Sequence, residues 1–175
     1  MAPGFEEIEA VTIIDVLRRA SVEVIVAGTQ PGPIQGAQGI RLSPDTLLDQ
    51  MKTRDFDMLV LPGGTQGVEN LKAHPRLLPL MGEFNAAGKG IGAICAAPSL
   101  LSAAGLLCGK QVTSYPSVKS ELEKTALYSE ERIVVDGKIV TSRGPGTAME
   151  FALKLVEILV GTEKASELKE GMLAS

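Results

Sequence analysis

Apolar positions along the chain fall into two alternating patterns. Short runs almost continuous in Val, Ile and Leu, namely VEVIVAG (22–28), DMLVLPGG (57–64), GIGAIC (90–95) and QVTS (111–114), predict strands. Such runs suit strands buried on both faces, as in a parallel sheet covered by helices. GIRLSPD (39–45) is a weaker strand candidate, and RIVVDGKIVTS carries two strand-like pieces around Asp136-Gly137. Asp-Gly between apolar runs is a strong hairpin signal. Helical spacing fills the intervals at about 6–20, 74–87, 96–105, 147–160 and 162–172. The alternation predicts an α/β fold: a doubly wound, mostly parallel sheet sandwiched by helices, with a small antiparallel hairpin. In such sheets ligands bind beyond the carboxyl ends of the strands.

The Gly/Pro-rich GTQPGPIQGAQG (28–39) fits a loop or hairpin and not a boundary, so 175 residues are read as one domain, 1–175. Hydrophobic residues make up 45% and charged residues 22%, the balance of an ordinary globular protein. Aromatics at 3% and a net charge of -4 argue against a nucleic-acid partner. No apolar run approaches the roughly 18 residues of a membrane span, and MAPGFEEIEA lacks the regions of a signal peptide, so a cytoplasmic protein with no membrane partner is expected. The two cysteines, Cys95 and Cys108, are too far apart for a C-x-x-C redox or zinc pattern; free thiols and no metal site are expected.

Cys95 sits between a strand and a helical run, amid Gly and Ala, with Pro98 in the first helical turn. A thiol at such an elbow meets the positive end of a helix, which favours thiolate, and small neighbours allow the sharp turn that exposes a nucleophile. A small buried cysteine packing as a hydrophobe fits the same residues. Cys108, in GLLCGKQV, falls at the opposite end of the sheet, where a packing role is expected. Pro62, Gly63 and Gly64 follow a strand and would lie on the Cys95 side; their amides, with that of Ala96, suit an oxyanion, though a plain tight turn reads the same way. The one histidine, His74, starts a helix leading away from that edge, so an acid is needed for proton transfer.

GFEEIEAVTIIDVLRRA supplies that acid. Ile8, Val11, Ile14 and Leu17 form one line on the helix, and Glu9, Ile13, Val16 and Ala20 form the next, so Glu9 begins an otherwise apolar line while Glu6 and Glu7 reach water. A carboxyl pressed into an apolar interior has its pKa raised and, protonated, can donate to a thiolate; complementing the helix dipole is the simpler role. In TSRGPGTAMEF, Arg143 closes a strand, and Thr147 with Glu150 has the spacing of a capping box; the arginine and helix start suit an anion or a carbonyl oxygen.

GFEEIEAV, LPGG, AICAAP and TSRGPGT, in this order, resemble the DJ-one/ThiJ/PfpI superfamily, specifically its DJ-one/ThiJ branch, over nearly the whole chain. The resemblance implies a flavodoxin-like fold, usually homodimeric, with no metal or organic cofactor. It implies Cys95 as nucleophile, Glu9 as the acid bonded to it, the amides of Gly63, Gly64 and Ala96 around the oxyanion, and Arg19 and Arg143 bordering the pocket. It further implies a glutathione-independent glyoxalase or deglycase acting on small reactive aldehydes or glycated substrates, with a redox sensor or chaperone as the alternative and a cysteine amidase or peptidase as a lesser one. Tyr115 stands where the branch places histidine or an apolar or aromatic residue, which disfavours a Cys-His protease. Such chains also open with a hydrophobic strand before APGFEE; Met1 stands where that strand should end, so an internal or truncated start is expected.

Overall fold

A computed structural model describes residues 1–174. The chain runs from α1 (Glu7–Arg19) through β1 (Ala27–Gly28), β2 (Ile34–Gln35), β3 (Arg41–Leu42) and β4 (Thr46–Leu47) to β5 (Met58–Leu61). Then come α2 (Thr65–Ala73), α3 (Leu77–Ala86), β6 (Gly90–Ile94), α4 (Pro98–Ala103), β7 (Gln111–Val112), α5 (Lys119–Leu122) and β8 (Leu127–Tyr128). The hairpin β9 (Ile133–Asp136) and β10 (Ile139–Ser142) precedes α6 (Ala148–Leu159) and α7 (Thr162–Gly171).

The largest sheet has the order β5-β6-β10-β9. β6 pairs in parallel with both β5 and β10, and β9 closes the hairpin on β10. All five residues of β6 are buried, as its apolar run requires. The Asp136-Gly137 turn forms as predicted, with Gly137 at φ 64°. α6 lies on β6 and β10 and packs against α1, while α3 and α4 cover β6 from a separate layer. Gly92 lets α6 come close: a Cβ there would stand 3.2 Å from the Phe151 ring. The architecture is the expected flavodoxin-like α/β sandwich.

Several local expectations are corrected. Run 22–28 is a strand only at Ala27–Gly28, and 39–45 shortens to Arg41–Leu42, which pairs antiparallel with Ile34–Gln35 as a hairpin over the Gly/Pro-rich segment. α2, α5 and β8 were not foreseen. The strand expected ahead of Ala2 has no substitute: among the described residues no segment lies between β1 and β5, which belong to separate sheets.

On α1 the Glu9 line is the buried one, whereas Ile8 is 57% and Val11 44% exposed. Glu7, expected to reach water, is buried instead. Its Oε1 accepts the N–H groups of Gln38 (2.7 Å) and Ile40 (3.2 Å), clamping the loop of the 34–42 hairpin onto α1. Glu7→Ala strands two amides and is expected to cost about 2 to 3 kcal/mol, read as a lower urea midpoint.

Candidate active site

β6 ends at Ile94, and the chain turns through Cys95 with φ of 64°. A residue carrying a Cβ holds that conformation at a cost of about 1 to 2 kcal/mol. The neighbours impose it. Cys95 N–H donates to Ser142 O at the end of β10 (3.0 Å), and Cys95 O accepts from Tyr115 N–H (2.8 Å). α4 then begins with Pro98 in its first turn. The elbow therefore presents the sulfur at the carboxyl edge of the sheet, where Cys95 keeps 9% of its surface exposed.

One strand over, β5 runs into Pro62, Gly63 and Gly64. Gly64 has φ of 89°, and a Cβ there would lie 2.3 Å from Gly4 O, so only glycine fits. A Cβ on Gly63 would stand 2.5 Å from Cys95 Cβ and 2.8 Å from Glu9 Oε2. Thiol and carboxyl thus meet across a residue that has no side chain.

Glu9, in the first turn of α1, has no exposed surface. Its Oε2 accepts Gly63 N–H at 2.7 Å, and Oε1 is buried with no hydrogen-bond partner among the described residues. Burial pushes the carboxyl up to about 7, against the pull of the Gly63 amide and of the Cys95 thiol. For Cys95, burial and then the Glu9 charge push the thiol up to about 12, while the amides of Gly64 and Ala96 act in the opposite direction. The expected resting thiolate is therefore corrected. Near neutral pH the sulfur keeps its proton, and Glu9 is the group that titrates.

A stability consequence follows from the Glu9 shift. Its folded pKa of about 7 exceeds the ordinary 4.5, so the folded state binds more protons between those values. Stability from the protonated carboxyl is complete below pH 4.5 and is lost as pH rises through about 7. The loss should approach about 3 kcal/mol at 1.36 kcal/mol per pH unit. Urea unfolding at pH 5 and pH 8 would show it, and Glu9→Gln should abolish the Glu9 part of the decline.

The remaining candidates divide. Gly64 and Ala96 direct amides at the sulfur, but the Gly63 amide is taken by Glu9, which corrects its assignment to the oxyanion set. Tyr115 is 47% exposed and lies against Gly144, where a Cβ would be 3.2 Å from its ring. Arg143 donates from Nη1 to Glu130 O at 3.0 Å. Arg19 is not brought to the thiol within this chain: it ends α1, pairs with Asp15 at 2.7 Å, and lies ten residues from Glu9, about 15 Å along a helix. His74 follows α2, away from the elbow, with Asp49 3.9 Å off. Cys108 is exposed, not packed.

Thr147 does form a cap, with a different partner from the expected Glu150. Its Oγ1 accepts Gly144 N–H at 3.1 Å, while Glu150 binds Arg132. Ser142 and Thr147 share a 2.7 Å hydroxyl bond that ties the end of β10 to the turn behind Cys95. Nothing in their spacing marks Ser142 as a support of the elbow, because its role lies in the carbonyl it offers to Cys95 N–H.

The profile of the DJ-1/PfpI family matches residues 1–158. The chain belongs to the DJ-1/PfpI family. Among DJ-1/PfpI relatives, Protein dj-1beta of Drosophila melanogaster is 43% identical over 177 residues, covering 100% of this chain and 95% of the relative. A crystal structure of Drosophila melanogaster DJ-1beta superposes with a TM-score of 0.96 at 42% identity, over 100% of this chain and 95% of that one. A Caenorhabditis elegans relative named glutathione-independent glyoxalase DJR-1.2 is 39% identical over 164 residues, covering 93% of this chain and 87% of the relative. Among the described residues no helix is long and apolar enough to cross a membrane.

Proposed function

We propose that this chain is a cysteine-dependent glyoxalase or protein deglycase acting without a cofactor on methylglyoxal, glyoxal or their early protein adducts. The observation that carries the reading is the meeting of Cys95 and a neutral-titrating Glu9 across Gly63. A base is most useful when its pKa lies near the working pH, and Glu9 has that property.

Sulfur adds to the aldehyde carbon as the thiol proton passes to Glu9. The Gly64 and Ala96 amides face the resulting oxyanion, each such donor being worth about 3 kcal/mol in other enzymes. Proton return to that oxygen gives a hemithioacetal and frees the Glu9 carboxylate. The carboxylate removes the proton on the former aldehyde carbon and delivers it to the adjacent carbon, converting the hemithioacetal to a thioester. Water then releases lactate from methylglyoxal or glycolate from glyoxal and restores the thiol. The relative named a glutathione-independent glyoxalase supports this assignment.

A second reading, oxidation sensing through Cys95 sulfinate, is favoured by the partly exposed sulfur and the unpartnered Glu9 Oε1 beside it. One experiment separates the two. Purified protein with methylglyoxal should form lactate, detected by proton NMR, at a rate well above buffer. No lactate, together with addition of two oxygens to Cys95 alone under peroxide, would favour the sensor. The same reading includes a cytoplasmic homodimer; Ile8 and Val11 supply an exposed apolar face for it, and light scattering should give twice the chain mass.

A further inference from the structure

Between residues 22–28 and β5 lies a cavity of about 420 Å³ walled by Val22, Val24 and Val26 on one side and Met58 and Val60 on the other. Both walls are sheet edges. β5 ends the order of its sheet, and β1 pairs only with β4.

Backbone directions on the two walls follow from their bonds. Val26 O accepts from Asp45 and Thr46, so the neighbouring Glu23 and Ile25 turn the other way, into the cleft. Neither residue's N–H or C=O has a hydrogen-bond partner among the described residues. On β5, Asp57 O accepts from Gly90 toward β6, which leaves Met58 and Val60 facing the cleft.

Met1 shows how a strand would lie there. Its nitrogen donates to Ala27 O, and its carbonyl accepts Thr29 N–H at 3.0 Å. These are the two bonds of a parallel partner opposite Gly28. A strand continuing that line would face Val22 to Ala27, which is about six residues or ~20 Å of extended chain.

The ends of the cleft carry opposite character. Where a parallel strand would begin stand Glu23 and Asp57, neither with an ion-pair partner among the described residues, and Asp55, which pairs with Arg54. Where it would finish stands the Met1 amine, buried among apolar atoms without a countercharge. An amino end meets acids, and a carboxyl end meets an amine. A second copy of the chain fits poorly, because its apolar runs of that length are internal strands without free ends.

We propose that this cleft is an acceptor site for a separate apolar peptide of about six residues, taken up as a parallel strand between 22–28 and β5. Its amino end lies at Glu23 and Asp57, and its carboxylate lies at the Met1 nitrogen. Val, Ile and Leu suit it, since a strand there is covered on both faces. The site is independent of the Cys95 chemistry.

The probe is a synthetic Val-Ile-Val-Thr-Val-Ala peptide with free ends, titrated into the full chain by calorimetry and followed by amide hydrogen exchange. Saturable one-to-one binding is expected, with exchange at Glu23, Ile25, Met58 and Val60 slowed at least tenfold. Capping both ends should weaken binding by about tenfold, and proline at the third position should abolish the protection. Absence of saturation, protection at other amides, or equal protection by the proline peptide would overturn the proposal. So would protection of the same amides that rises with protein concentration in the absence of peptide, which would make a second copy the occupant.

Discussion

Cys95→Ala is expected to lower lactate formation from methylglyoxal on the order of 10^3-fold or more, to the buffer rate, because the bond-forming atom is removed. The fold should survive: the substitution deletes one sulfur at a site 9% exposed and keeps the backbone bonds to Ser142 and Tyr115. Cys95→Gly separates chemistry from conformation. It should be equally inactive yet more stable than Cys95→Ala by about 1 kcal/mol, since glycine adopts a φ of 64° without the Cβ penalty. Chemical denaturation of the two variants reads that difference. Equal stabilities would mean that the elbow stores no backbone strain, and lactate formation by either variant would remove Cys95 from the reaction.

Glu9→Gln should carry the second-largest effect, a fall in kcat/KM on the order of 10^2 to 10^3-fold, the usual worth of a positioned general base. Glutamine retains the volume and an oxygen for the Gly63 N–H, so loss of activity would not reflect collapse of the site. The pH profile distinguishes proton transfer from packing. Wild type should gain activity as pH rises through about 7, where Glu9 ionises, and Glu9→Gln should lose that limb. A variant that kept the limb at reduced rate would assign it to another group.

Much of this site was legible because it is written in local patterns. The apolar line Ile13, Val16, Ala20 points Glu9 inward, and the structure buries it completely. Strand-ending glycines next to a cysteine imply close approach, which Gly63 provides. What could not be read depends on contacts distant in sequence. Glu7 looks like a solvated first-turn acid until the 34–42 hairpin folds back over it and offers two amides. α2 begins at Thr65 without a side-chain cap, so its start after two glycines reads as a continuing loop. The strand expected at 22–28 shrinks because half its hydrogen bonds point into a cleft and find no partner. The thiolate expectation failed on magnitudes: a helix end and two amides favour the charge, but burial and a neighbouring carboxyl oppose it more strongly.

The most direct test is a carbon-13 NMR titration of the Glu9 side-chain carboxyl in protein labelled at glutamate, assigned by Glu9→Gln. A midpoint near 7 is expected, shifting when Cys95 is alkylated. A midpoint near the ordinary 4.5, unmoved by alkylation, would contradict the claim that this carboxyl is the proton carrier for the thiol.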